Sequence, residues 1–466
     1  MMSDGQNMFS TPRVAVFAGQ TNYRDINSVF QLVNQTLAAL SLYDTFVQPG
    51  DRVVLKPNWI KEHDERFPGP NHWHHVITHP AVIEAVARWT GKQLLGRGSI
   101  TLCDAPQTDS SFDKIREYCG LDALVTRLRA AFPRVGFSLL DLRPEEWHAI
   151  DGVTVARTKL PGDPCGNTHV RLDGASEFVG YHGQGRLYGA SFDMAETNQK
   201  HTGARHEYLL CRTPMDADVF VNLPKLKTHK KVGITCALKN LVGINANKNW
   251  LPHHTEGTPD QGGDQFATAT ARARLEHSWM GAAKRWLKDR PAMSRLFVPV
   301  KKAGRLFFGD TQQVVRSGNW HGNDTCWRMV LDLNKCLFFF DGSGQPREKP
   351  LRYLTVVDGI IGGEGNGPMS PDPRPCGVVL AGTHPVAVDC VAAALMGFDW
   401  QKLRLLKNSF QMRELNFASF QPGEIEVVSN KPPWHGKLDE MEAPFSFRPH
   451  FGWIGAIENT RKSVAA

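Results

Sequence analysis

Short apolar runs that stop at a proline or an acid recur along this chain, and they constrain its fold more than any other feature. Arg13 to Phe17, Arg52 to Lys56 before Pro57, Ser99 to Cys103 before Asp104, Phe137 to Leu140, Val219 to Val221, Leu354 to Val357 before Asp358 and Gly377 to Ala381 read as strands. Helical patterns lie between them, at about Asn27 to Leu42, from Pro80 with the stripe Val82, Ile83, Val86 and Trp89, at about Phe112 to Phe132, and from Pro385. Strand and helix in turn predict an α/β fold, a mainly parallel sheet with helices on both faces. Pro57 and Pro224 cannot donate to a ladder, so each ends a strand, whereas Pro80 suits the first position of a helix.

Those strand ends matter because open α/β sheets bind ligands at the carboxyl ends of their strands. Directly after Val221 runs Asn222-Leu-Pro-Lys225-Leu-Lys227-Thr228-His229, then Lys230-Lys231 and, a little further on, Lys239-Asn240. If the run stays extended, Lys225, Lys227 and His229 share one face at period two and form an anion site. Lys56-Pro57-Asn58 repeats the logic at an earlier strand. Two further points echo each other: Thr78-His79-Pro80 and Thr383-His384-Pro385 both open apolar helices, where N–H groups favour bound anions.

The segment Asp358-Gly-Ile-Ile-Gly-Gly-Glu364-Gly-Asn-Gly-Pro368 reads as a tight acidic loop whose glycines bring backbone close to a ligand. Hard oxygens from Asp358, Glu364, Asp389 and the strand-ending Asp104 suit a divalent ion, Mg²⁺ or Mn²⁺. Walker, G-x-G-x-x-G, G-x-S-x-G and His-Glu-x-x-His motifs are all missing, which removes the usual support for ATPase, dinucleotide, serine hydrolase and zincin chemistry.

Taken together, Lys56-Pro57-Asn58, the lysine run, the acidic glycine-rich segment and Gly382-Thr-His-Pro-Val-Ala-Val-Asp389 resemble, in order, the motifs of the family catalogued as domain of unknown function 362. The resemblance spans roughly residues 12 to 400. Many relatives in that family are fused to a ferredoxin-type module, and this chain is a long variant without it. Its nine cysteines are scattered with no Cys-x-x-Cys pair, so they read as reduced thiols and no iron-sulfur cluster is expected.

The formal charge of +7 is concentrated, because ten basic residues against three acidic ones lie between Arg272 and Asp310. That stretch is helical in pattern with interleaved aromatics. It reads as an inserted helical hairpin or, alternatively, as a peripheral membrane contact through 272–310. A neutral remainder without a binding module argues against a specific nucleic-acid partner. No run approaches the ~18 apolar residues that span a bilayer, and the first residues lack a leader pattern, so a cytoplasmic location is expected.

The expected organisation is an N-terminal α/β part (12–142), a polar insertion or cap (143–210), the lysine signature and loop (211–270), the basic helical insertion (271–318), a C-terminal α/β part (319–425) and a tail (426–466) that is a strap or an unpacked end. The expected function is an enzyme that binds a small anionic metabolite, phosphorylated or carboxylated, with a divalent metal, for transfer, elimination or isomerisation. His229, Lys239 and Lys227 would be catalytic. Lys56, Asn58, Asn222, Lys225, Thr228, Asn240, His79 and His384 would bind substrate, and Asp358, Glu364, Asp389 and Asp104 would hold the metal. The alternative is a non-catalytic metal-binding or redox-accessory protein. Oligomeric state is not legible.

Overall fold

A computed structural model describes residues 12–19, 22–42, 46–150, 153–191, 193–268 and 314–460. The basic segment 272–310 lies outside the described residues. Eleven strands build the main sheet: β1 (Arg13–Ala18), β2 (Arg52–Pro57), β3 (Ser99–Asp104), β4 (Gly136–Asp141), β5 (Val219–Leu223), β6 (Lys225–His229), β7 (Gly233–Thr235), β8 (Arg352–Asn366), β9 (Ser370–Gly382), β10 (Glu426–Ser429) and β11 (Gly436–Lys437). Their order is β11-β10-β1-β9-β8-β5-β2-β3-β4, with β6 added on β8 and β7 on β6. From β8 to β4 every neighbouring pair is parallel. The mainly parallel α/β fold expected from the alternation of patterns is the observed one.

Period two sorts the strand residues onto two cores. Val53, Leu55, Ile100, Leu102, Val219, Val221, Leu354 and Val356 pack with helices α1 (Ile26–Ala38), α2 (Pro80–Gln93), α3 (Phe112–Cys119) and α4 (Leu121–Ala131). Val54, Cys103, Phe220, Tyr353 and Val357 face the other way, towards α6 (Cys326–Phe339) and α7 (Pro385–Leu395), with the single turn α5 (Ala237–Asn240) between. Both faces are therefore covered, as a parallel sheet requires.

Three local outcomes differ from the linear pattern. The helix expected from Phe112 to Phe132 is two helices, because Gly120 takes a left-handed φ of 60° that ends α3. The acidic loop is no loop: Asp358 to Asn366 lies within β8, which pairs antiparallel with β9 through Asn366↔Ser370. Its glycines serve close packing, since a Cβ on Gly363 would sit 2.8 Å from the His75 carbonyl oxygen. The loop after Gly243 contains a strand, Pro252–Thr255, that pairs with Leu187–Gly189 of the polar insertion.

The tail packs as a strap. After β10 joins β1 in parallel, the Arg448 carbonyl accepts from Gly365 N of β8 while the Arg448 N–H donates to the Glu364 carboxylate, and the buried Trp453 donates its indole N–H to the Lys230 carbonyl at 2.8 Å. All nine cysteines are unpaired, and eight are buried. Among the described residues no helix is long and apolar enough to cross a membrane.

Candidate functional site

The ends of β2 and β5 carry a polar chain that starts from a register pair, Lys56 and Asn222. Lys56 Nζ lies 2.8 Å from Asp104 Oδ1 and donates to the Pro57 carbonyl (2.8 Å) and to Asn240 Oδ1 (3.1 Å). Asn58 donates to the same Asn240 oxygen at 2.8 Å, and the Asn240 amide nitrogen reaches Asn222 Oδ1 at 2.7 Å. Lys227 closes the chain through Asn58 Oδ1 (3.0 Å) and the carbonyls of Val76 (2.5 Å) and Pro368 (3.1 Å). The two proline-stopped strands thus bring Lys56, Asn58, Asn222, Lys227 and Asn240 together. Gly243 is part of the fit, because a Cβ there would lie 1.8 Å from Asp104 Oδ1.

Other residues expected in the site are consumed elsewhere. Lys225 and Asp358 are register partners on β6 and β8, and their side chains pair at 2.9 Å, each fully buried. Tyr23 completes that unit by donating to Asp358 Oδ1 (2.6 Å) while accepting from Lys225 (2.7 Å). Lys225 is therefore not free for an anion, nor Asp358 for a metal. Thr228 donates to the Gly365 carbonyl at 2.9 Å and is fully buried, and Asn222 is spent on Asn240, Ala237 and Tyr353.

The four carboxylates do not converge. Asp104 accepts from the Trp59 N–H besides pairing with Lys56, and Glu364 accepts from the Arg448 N–H at 3.1 Å. Asp389 accepts from Ala237 N (2.7 Å) and Leu238 N (3.1 Å), so it caps α5 from the neighbouring α7. Among the described residues no three His, Cys, Asp or Glu side chains gather as metal ligands. Each carboxylate instead answers a local donor left unsatisfied by the fold. The two echoing histidines do the same at their own helices: His79 Nδ1 accepts from Ala81 N at 3.1 Å and His384 Nδ1 from Ala387 N at 3.5 Å. They plug those helix starts rather than leaving them to an anion.

What remains is an excess of buried positive charge. Among the described residues Lys56 and Lys225 have carboxylate partners, whereas Lys227, Lys230, Lys231, Lys239 and Lys248 have none within ion-pair distance. Lys248 donates to the carbonyls of Ala105, Val242 and Asn245, and Lys231 to His253 O, His254 Nδ1 and the Ser317 carbonyl. Burial pushes Lys248 down to about 8 and Lys231 to about 7. Lys239 is only 7% exposed and Lys230 half-buried, and burial lowers both, with the charges of Lys230 and Lys56 adding to the effect at Lys239. The carboxylates nearest Lys230 in the field, Glu65 and Asp109, are already held by Lys61 at 3.5 and 2.9 Å.

Two histidines border this cluster. His229 and His253 are both kept neutral, first by burial and then by the surrounding lysines, Lys239 foremost. Lys230, Lys231, Lys248 and His253 were not among the expected site residues. Their signal was density alone: every one falls in the same short stretch as Lys225, Lys227, His229 and Lys239. A surface cleft bordered by Ala18, Gly19, Ser28, Gln31, Leu32 and Gln35 has no titratable side chain and offers no comparable chemistry.

Comparisons with known proteins accord with the motif order. A family model described as "Domain of unknown function (DUF362)" matches residues 162–394. Over 433 residues the chain is 23% identical to a thylakoid-associated protein of Synechocystis sp., covering 91% of this chain and 87% of that one. Solved structures are more remote. A protein from Thermotoga maritima matches at 12% identity and a TM-score of 0.30, over 77% of this chain and 55% of that one. The lactate racemase apoprotein from Thermoanaerobacterium thermosaccharolyticum matches at 10% identity and 0.26, over 76% and 52%. The chain spans about half the length of these two solved chains.

Proposed function

The chain belongs to the DUF362 family, whose name assigns no reaction, and we propose from its own residues that it binds a small anionic metabolite, phosphorylated or carboxylated, among Lys230, Lys239 and His229 and acts on it as an enzyme. The observation that carries this reading is the buried set of lysines without carboxylate partners. An ammonium group withdrawn from water costs several kcal/mol unless a counter-charge is near. Where carbonyls satisfy the donors, as at Lys227 and Lys248, the hydrogen bonds are made but the charge is not cancelled. A ligand dianion supplies the cancelling charge, and charge-assisted bonds of this kind are the strong ones.

Asp389 and the Asn240 chain set the position of Lys239, and His229, whose neutral form burial and then the charge of Lys239 favour, carries its hydrogen on Nε2, because its Nδ1 accepts from Lys231 N at 3.0 Å. A neutral ring protonated on Nε2 is a donor to an anion without adding charge. In this reading a divalent ion enters as the substrate's own counter-ion and not on the four expected carboxylates, which are engaged.

The test is a titration of inorganic phosphate and pyrophosphate against thermal stability at matched ionic strength, since a ligand of the native state stabilises by mass action. Lys230→Ala removes a half-buried charge without opening the core, and it is expected to weaken pyrophosphate about 10-fold or more, the worth of one charged hydrogen bond. If the wild-type protein gains no more from either anion than from chloride, the anion site is refuted.

A further inference from the structure

The lysines of the cluster are not equivalent, and the difference is at the amine. Lys227, Lys231 and Lys248 each spend Nζ on three protein acceptors, and Lys56 spends it on Asp104, Pro57 and Asn240. Among the described residues only Lys230 and Lys239 of this cluster have no hydrogen-bond or ion-pair partner at Nζ, and Lys230 sits at the half-buried rim. Lys239 is inside.

Its backbone is held with more care than a charge-neutralising side chain needs. Asp389 fixes the start of α5 through Ala237 N and Leu238 N, and the next residue, Asn240, is tied to Asn58, Asn222 and the Lys56 carbonyl. Thus both neighbours of Lys239 are anchored while its amine is left open. That combination, a fixed mount and an unspent amine, is what a nucleophile requires.

We propose that Lys239 is a nucleophile that condenses with the carbonyl carbon of an anionic oxo substrate, an aldehyde or ketone bearing a phosphate or carboxylate, to give an iminium. The inference rests on the anion reading above and names the substrate class for that site. The amine lone pair forms the C–N bond and the carbonyl π pair moves to oxygen, which takes a proton. The nitrogen, cationic after attack, gives up one proton to leave a neutral carbinolamine, and the hydroxyl takes a second proton as the recovered nitrogen pair forms C=N, so one water leaves, one proton is consumed overall and one positive charge stays on nitrogen. That charge is the electron sink for a later C–H or C–C cleavage next to it.

The surroundings suit both halves of this step. Attack needs the free amine, and burial together with the charges of Lys230 and Lys56 favours it; the nearby Cys326 thiol is itself pushed up by burial, so it stays uncharged and does not oppose this. The two histidines have opposite tautomers. His229 carries its hydrogen on Nε2, whereas His253 donates Nδ1–H to the Leu251 carbonyl at 2.8 Å and keeps a lone pair on Nε2. One ring can deliver a proton to the departing oxygen and the other can accept one.

The experiment uses pyridoxal 5′-phosphate, which joins an aldehyde to a phosphate, followed by sodium borohydride and peptide mapping of the full-length protein. A single adduct on Lys239 is expected, prevented by excess pyrophosphate. Lys239→Arg keeps the charge and is expected to melt cooperatively and to lose the adduct, whereas Lys230→Arg is expected to keep it. Adducts spread over exposed lysines, or one on Lys230 with none on Lys239, overturn the proposal. The two readings fail separately: if pyrophosphate binds but Lys239 is not labelled, the iminium falls and the anion site stands, whereas absence of both removes the pair.

Discussion

At the scale of single residues, the Lys56–Asp104 pair depends on a side chain that is not there. A Cβ on Gly243 would meet Asp104 Oδ1 at 1.8 Å and Lys56 Nζ at 2.6 Å, and neither group is a flexible tip free to swing away, because both are bonded on other sides. Gly243→Ala is expected to break the buried pair and cost about 3–5 kcal/mol, read as a lower denaturant midpoint at unchanged slope. An alanine variant as stable as wild type would contradict that account. Glu364 is the converse case. It accepts one exposed backbone bond from Arg448, which a glutamine oxygen can still accept, so Glu364→Gln is expected within about 0.5 kcal/mol of wild type with unchanged pyrophosphate affinity. A tenfold loss of affinity would return the acidic hairpin to the site. The contrast with Lys225 explains what a linear reading can hold. Lys56, Asn58 and Lys227 were legible because a proline beside each strand end aims them at one rim, but nothing local says that Lys225 will lie opposite Asp358 and be neutralised by it.

At the scale of elements, the decisive piece is the one-turn α5, too short to hold itself and therefore dependent on its cap. Asp389 supplies that cap, and burial raises its carboxyl to about 7 against the N–H bonds that lower it. A raised acid stabilises the native state fully below the unfolded value near 4 and loses that contribution as pH climbs to about 7. Asp389→Asn removes the titration and turns one acceptor into a donor facing an N–H. The variant should therefore be destabilised at every pH, more at pH 5 than at pH 8, and should bind pyrophosphate more weakly because Lys239 loses its mount. Equal deficits at the two pH values, measured by urea unfolding, would show that Asp389 is ionised throughout. The helices that carry His79 and His384 were legible from Thr-His-Pro alone, but the use of each histidine as its own helix's cap, in place of a bound anion, was not. The hairpin of β8 and β9 was not, since its glycines and prolines speak for a loop. What makes it a ladder is its pairing with the adjacent β9 on one edge and with β6, distant in sequence, on the other.

At the scale of the molecule, one sheet draws on both ends of the chain, because β1 lies between β9 and β10. Alternating patterns announce the class of such a fold but not the insertion of its first strand among its last, which is settled by long-range burial. The same sheet gathers the lysines into one buried volume, and this gives the whole protein a pH signature. Lys231 at about 7 and Lys248 at about 8 lie below the ordinary lysine value near 10.4. Between those values the unfolded chain binds more protons than the native one, so stability rises with pH. Asp332 at about 6 has largely titrated by pH 7, Asp389 at about 7 is half titrated there and acts with the opposite sign, and the buried thiols oppose increasingly as pH approaches about 8.5. From pH 7 to 8 the lysines should prevail, with a gain of at most about 1 kcal/mol. Sulfate, a dianion throughout that range, would hold the lysines protonated in the native state and flatten the slope. Its general salting-out effect raises stability at every pH, so the slope and not the level is the readout. Stability that is flat or falling from pH 7 to 8 without sulfate would mean that the buried lysines keep their protons by some means other than a bound anion, and a rise that sulfate leaves untouched would mean that no dianion binds beside them.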